Sequence, residues 1–223
     1  AAGIIQAVWQ LYLIYPDVIF AKGGYSSFPA VFAARLLRIP LVIPEAASHP
    51  GRVNAWAGKF ARRIALSYPE ALKYFPNEKS AVTGNPLRED IRTPIITGSR
   101  EFLELEPEAP VLLVLGGSQG SVKINDTIVD VLPELLKKYQ IIHQVGKSNF
   151  KEIRGRAELV LTENPNKNRY KIYDYLNPTA IRMSAGVASI IISRAGSTIF
   201  EIAAWGVPSI IIPIPESVSH DQY

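Results

Sequence analysis

IIISRAGSTIFEIAAWGVPSIIIPIPESVSHDQY, residues 190–223, is the stretch from which the fold is read. Ile190-Ile191-Ile192 is a continuous apolar run, as in a strand covered on both faces. Ser193-Arg194-Ala195-Gly196 interrupts it, and Gly196 opens backbone angles closed to other residues. Ser197 or Thr198 can cap a helix running through Ala204. Gly206 and Pro208 end that helix, and Ser209–Ile212 forms the next strand. Strand, turn, helix and strand in this order place the turn at the carboxyl edge of a parallel sheet, where open α/β folds bind ligands.

Glu201 has two readings. Thr198-x-x-Glu201 matches a capping box, in which two side chains satisfy orphan donors at a helix start. Alternatively, the carboxylate is held at the helix start to accept hydrogen bonds from a ligand diol such as a ribose. Spacing alone leaves both open.

The 223 residues suggest one large domain or two small ones, and 48% hydrophobic with 20% charged residues suits a soluble globular protein. Without cysteine there is neither disulfide nor thiol chemistry. No signal peptide is visible, and no apolar run reaches the ~20 residues that span a bilayer. The first residue lies inside a helical pattern and the last inside a ligand-type loop, so the chain reads as a piece lacking both ends. Residues 1–93 hold 11 Lys+Arg against 6 Asp+Glu, a net of +5, and residues 94–223 hold 13 against 14, a net of −1. The basic first half suits an anionic partner, a phosphate or an acidic membrane surface; it is also the only feature favouring nucleic acid, which is not assigned.

From the amino terminus, Ile4–Ile14 is apolar on nearly every face, as expected of a buried helix or of one lying on a membrane surface. Val18–Ala21 is a strand. Lys22-Gly23-Gly24-Tyr25-Ser26-Ser27 then leads into a helix over 29–37. Two glycines after a strand let backbone N–H groups face an anion at the helix start. Ile39–Pro44 is a strand, followed by Glu45-Ala46-Ala47-Ser48-His49-Pro50-Gly51 and a helix to Phe60. Residues 63–67 and 81–83 are further strands. Gly84-Asn85-Pro86-Leu87-Arg88 follows, where Arg88 can pair with a phosphate or with neighbouring Glu89 or Asp90. Residues 91–110, around a helix over 100–105, are read as the connection between halves.

Val111–Leu115 begins the second half. Gly116-Gly117-Ser118-Gln119-Gly120 follows, then a helix with Ile124, Ile128, Val131, Leu132 and Leu135 facing inward. Strand, glycine turn and helix start together favour an anion site, without a Walker lysine or a complete dinucleotide fingerprint. Ser118 can donate to a phosphate or cap the helix. His143, inside the apolar strand 139–145, reads as a hydrogen-bonded structural residue. Residues 170–173 are a strand, and 177–184 a short helix.

Several of these motifs, in this order, resemble the MurG family, the N-acetylglucosaminyltransferases that complete the lipid-linked peptidoglycan precursor. They are PDVIFAKGGYSSFPA, Gly-Asn-Pro-x-Arg, LLVLGGSQGS, His143-Gln144-Val145-Gly146 and RAGSTIFEIAAWGVPSIIIPIP with His220-Asp221-Gln222. The resemblance implies a GT-B-like α/β fold of two Rossmann-like parallel-sheet domains, the first incomplete. Residues 1–93 would be the acceptor and membrane side, and 94–223 the UDP-sugar donor domain. It implies that Gly23 and Gly24 face the acceptor's diphosphate, and that Gly116, Gly117, Ser118, Gly120 and Gly196 face the donor's. Arg88, Ser197 and Thr198 would contact the nucleotide, and Tyr173 the uracil through its backbone. Glu201 would hold the ribose and Gln222 the sugar hydroxyls. The catalytic base would sit in an upstream loop that this chain does not contain, so the chain alone is expected to be inactive in transfer.

The implied reaction moves N-acetylglucosamine from UDP-N-acetylglucosamine, with inversion, to an undecaprenyl-diphosphate muramyl-pentapeptide. It would occur at the cytoplasmic face of the bacterial plasma membrane, with the protein peripheral to that membrane. Neither cofactor nor protein-held metal is expected, since no Asp-x-Asp clamp occurs. Two departures stand out: Ala47 replaces the family's asparagine, and the Ser/Thr turn after Gly196 is one residue short. The competing readings are another GT-B lipid glycosyltransferase, a UDP-sugar epimerase, and a non-catalytic nucleotide-sugar binding module.

Overall fold

A computed structural model describes residues 2–117 and 119–213. They form two compact units, divided between Pro86 and Leu87.

The first unit contains α1 (Ala2–Ile14), β1 (Ile19–Phe20), α2 (Phe28–Leu36), β2 (Leu41–Glu45), α3 (Arg52–Ala57), β3 (Arg63–Leu66) and β4 (Ser80–Val82). The strands form one parallel sheet in the order β1-β2-β3-β4. Its core joins Leu41 and Ile43 of β2, Ile64 and Leu66 of β3 and Val31 of α2. Alternate residues of β2 are buried, so one face of that strand carries most of its packing.

Of the two expectations for α1, burial or a surface-lying face, burial is not met among the described residues. It packs on α2 rather than on the sheet, and Ile4, Ala7, Val8 and Leu11, at helical spacing, are only partly covered. Ile5, Trp9, Leu13 and Ile14 are more than 60% exposed, because a single neighbouring helix covers a single stripe.

The second unit contains α4 (Glu89–Arg92), α5 (Ser99–Phe102), β5 (Val111–Leu115), α6 (Val122–Leu135), β6 (Gln140–Gln144), α7 (Phe150–Val160), β7 (Tyr170–Tyr173), α8 (Pro178–Val187), β8 (Ala188–Arg194), α9 (Thr198–Trp205) and β9 (Ser209–Ile212). Its five strands are parallel in the order β7-β6-β5-β8-β9. All of β5 is buried. Leu113 faces a core shared with α8 and α9, and Leu112 and Val114 face one shared with α6 and α7. Two apolar layers explain the unbroken run Val111–Leu115.

On α6 the inward positions are Ile124, Asn125, Ile128, Val129 and Leu132. Val131 is 41% exposed, against the expectation that it faces inward. The α6 stripe is rotated toward α7, a helix the sequence reading did not anticipate, so Val129 is buried in its place.

The domain boundary expected at 93/94 differs from the division by contacts. Leu87–Thr93 pack within the second unit. Ile91 is fully buried there, the Trp205 indole N–H donates to the Ile91 carbonyl at 2.8 Å, and Arg182 Nε donates to the Thr93 carbonyl at 2.7 Å. Trp205→Phe is expected to lower stability by about 1–2 kcal/mol, because it orphans a buried carbonyl while preserving most of the ring packing. Urea unfolding followed by circular dichroism reads this directly.

Candidate functional site

The strand order of the second unit reverses beside β5. The chain proceeds from β5 to β6 and β7 on one side, then returns to β8 and β9 on the other. Loops leaving the carboxyl ends of β5 and β8 therefore diverge, and ligands of open parallel sheets bind in the crevice so formed. Register pairs Leu115 with Ser193, bringing the Gly116 turn abreast of the Arg194 turn.

The turn after β5 is pressed against the turn after β6. Gly120 adopts φ 76°, and a Cβ there would lie far inside contact distance of the Val145 carbonyl oxygen. The carbonyls of this turn are drawn back toward β6 and β8. Gln144 Nε2 donates to Gly117 O at 3.3 Å, Asn149 Nδ2 to Gln119 O at 3.4 Å, and an Arg194 terminal nitrogen to Gly120 O at 3.5 Å. With those partial negative charges engaged, the open edge beside Gly117 and the start of the 14-residue α6 favour an anion. The loop glycines were legible in sequence; Gln144, Asn149, Asn125 and Arg194, which shape the loop, were not assigned to it. Their common signal is an amide or guanidinium beside a glycine turn.

His143 is fully buried beneath this turn, bonded to Tyr170 and Asn125. Burial lowers its pKa to about 3. An unfolded histidine binds a proton below about pH 6.5, while the folded one stays neutral, so stability is complete above that pH and is lost on acidification. We expect the His143 contribution to fall by about 1.4 kcal/mol per pH unit between roughly pH 6 and 4. Comparing urea midpoints of the wild type and His143→Gln across that range isolates it.

The turn after β8 decides between the readings of Glu201. Ser197 precedes α9 with helical angles, φ −59° and ψ −21°, and makes no side-chain capping bond. The Ile199 and Phe200 N–H groups bond instead to the Gly196 and Ser197 carbonyls at 3.1 and 3.2 Å. Thr198 is already helical, so Glu201 falls at the fourth helical position, one beyond the third where a box closes. The capping-box reading is corrected: no box forms. Among the described residues, no side chain or backbone group is hydrogen-bonded to the half-buried Glu201 carboxylate. Burial raises its pKa; nearby Arg88 lowers it, and Asp90 reinforces the rise. The bond from Trp205 of α9 to Ile91 of α4 keeps Arg88 near Glu201. Arg88 itself is exposed and pairs loosely with Asp90 at 3.8 Å. Gly206 closes α9 in the left-handed conformation, as its sequence position suggests.

Gly196 and Ser197 are exposed at the β8 edge, with Thr198 partly covered beside them. Tyr173 lies at the carboxyl end of β7, half-buried, and its carbonyl is engaged by Val145 N–H at 3.0 Å. Ser118 and Gln222 lie outside the described residues.

Gly23 and Gly24 lie in the other unit, after β1, at φ 86° and 80°. A Cβ on Gly23 would sit 2.7 Å from the Asn54 amide, which bonds to buried Glu45 at 2.9 Å. Ala47 contributes its backbone N–H to Glu45 at 3.0 Å. His49 and Tyr74 make a tilted ring contact at 5.2 Å between centroids.

Two parallel-sheet α/β units, each with a glycine turn at a carboxyl edge, define the GT-B fold class. Residues 111–223 match the Glycosyltransferase family 28 C-terminal domain, and residues 1–66 match its N-terminal domain. The chain belongs to glycosyltransferase family 28. A UDP-N-acetylglucosamine–N-acetylmuramyl-(pentapeptide) pyrophosphoryl-undecaprenol N-acetylglucosamine transferase of Bacillus cereus is 37% identical over 222 residues, covering 97% of this chain and 59% of that protein. The like-named transferase of Lachnospira eligens is 35% identical, covering 97% and 58%. The chain spans about 59% of the length of the first of these curated relatives. The crystal structure of Acinetobacter baumannii MurG superposes with TM-score 0.66 at 25% identity, covering 97% of this chain and 58% of that one. The S. aureus MnaA–UDP co-structure shares the fold at TM-score 0.67 and 17% identity, covering 94% and 60%.

Proposed function

We propose that this chain is part of an inverting transferase that moves N-acetylglucosamine from UDP-N-acetylglucosamine to a lipid-linked muramyl-pentapeptide, and that the second unit holds the donor. The names of its transferase relatives support the reaction. The observation that carries the donor assignment is Glu201: a half-buried carboxylate, uncapped, beside the β8 turn at the sheet's switch point. A ribose diol would supply the two donors it lacks. The diphosphate would lie toward Gly117, Gly120 and the start of α6.

In the transfer, an acceptor hydroxyl attacks the anomeric carbon while the bond from that carbon to the diphosphate oxygen breaks. The hydroxyl proton passes to a base. UDP departs with the electron pair, and the helix-start N–H groups stabilise its growing charge. The first unit, with Gly23 and Gly24 ahead of α2, would face the lipid diphosphate. The open apolar side of α1 suits the inner-leaflet surface that such an acceptor requires. Among the described residues no helix is long and apolar enough to cross a membrane.

Calorimetric titration with UDP-N-acetylglucosamine, UDP-glucose and UDP tests the reading. Binding of all three, with preference for the acetylated sugar, is expected. A folded chain that binds none would sink the donor assignment.

A further inference from the structure

Asn125 and His143 are fully buried polar residues in an otherwise apolar layer between α6 and the sheet. Burying such groups is costly unless they are hydrogen-bonded. Here the bonds run in one direction. The Val145 carbonyl can only accept, so the Asn125 amide turns Nδ2 toward it, at 3.0 Å. Asn125 Oδ1 then faces His143 Nε2 at 3.1 Å, which makes Nε2 the protonated ring nitrogen. His143 Nδ1 is left to accept, at 2.9 Å, from the Tyr170 hydroxyl. The sequence of donors is Tyr170 to His143 to Asn125 to Val145.

Its last acceptor is the surface on which the glycine turn rests. The Val145 oxygen faces the Cα of Gly120, and a Cβ on neighbouring Gly146 would lie 2.6 Å from Gly120 N. Asn149 Nδ2 adds a second bond to Val145 O at 3.0 Å. Asn125 belongs to the first turn of α6, where its N–H bonds to the Ser121 carbonyl at 2.9 Å. The same residue thus grips both the helix start and the turn beside it. Apolar side chains of similar size would stabilise this layer about as well; what the polar chain adds is a fixed direction for one carbonyl.

We propose that Asn125, His143 and Tyr170 are positioning residues that hold the Val145 carbonyl, and through it Gly120 at the start of α6, in the form that receives the donor's diphosphate. This rests on the donor-site reading above.

The test compares UDP with uridine, titrated by protein NMR so that weak nucleoside binding is read, on the wild-type chain, Asn125→Leu and Tyr170→Phe. UDP affinity is expected to fall about tenfold in Asn125→Leu and severalfold in Tyr170→Phe. Uridine affinity should stay within about twofold in both, since a purely structural defect would weaken both ligands together. Equal loss of both ligands, or no loss of UDP, overturns the inference alone. A wild-type chain that binds neither ligand overturns the donor-site reading with it. Nitrogen-15 spectra of the wild-type histidines need no variant to fold: His143 is expected with its proton on Nε2 from pH 5 to 8, and a proton on Nδ1 instead breaks the proposed chain.

Discussion

Gly120→Ala is expected to lose about 3–5 kcal/mol of stability and to abolish measurable UDP binding. Two costs add. The residue sits at φ 76°, where a side chain is strained. Its added methyl would also collide with the Val145 carbonyl and the Asn149 amide, and backbone cannot yield as a flexible side-chain end does. Relief requires moving the turn away from β6, which breaks the bonds that draw its carbonyls back. Gly117→Ala is the control. Gly117 has φ 82° but open space around the position of its Cβ, so it should bear the conformational cost alone, about 1 kcal/mol. Urea midpoints separate the two, and equal losses would show that the Gly120–Val145 contact carries no weight.

Glu201→Ala is expected to weaken UDP and uridine alike, by about tenfold to a hundredfold, since two hydrogen bonds to a charged acceptor disappear. Equal loss distinguishes it from the Asn125 variant, which should discriminate between the ligands. Stability should move the other way. A carboxylate whose folded pKa is raised binds protons more readily when folded, so stability falls as pH rises from the ordinary value of 4.5 through the raised one. At neutral pH the ionised group is therefore a net cost, and its removal should leave the unfolding midpoint unchanged or slightly higher. Nucleoside affinity should strengthen as pH rises through the same window, because the ionised carboxylate is the better acceptor. A Glu201→Ala chain that unfolds early but binds uridine normally would restore a structural role.

Sequence alone determined the class of fold and where the carboxyl-edge turns fall. Val111–Leu115 and Ile190–Ile192 are too uniformly apolar for strands with a wet face, so helices had to cover both sides. Glycines after β1, β5 and β8 marked the carboxyl-edge turns, and Gly206 marked the end of α9. Tertiary structure alone decided how those places are finished. Whether Glu201 caps its helix turned on the helical angles of Ser197, which put Thr198 one position too far inside. Whether residues 87–93 belong to the first or second unit turned on Trp205 finding Ile91, a contact across 114 positions of the chain. The open face of α1, and an asparagine facing a buried histidine, likewise depend on which element lies opposite. Hydrophobic periodicity records which side of an element avoids water, but not what meets that side. That is set by register and packing between residues far apart in sequence.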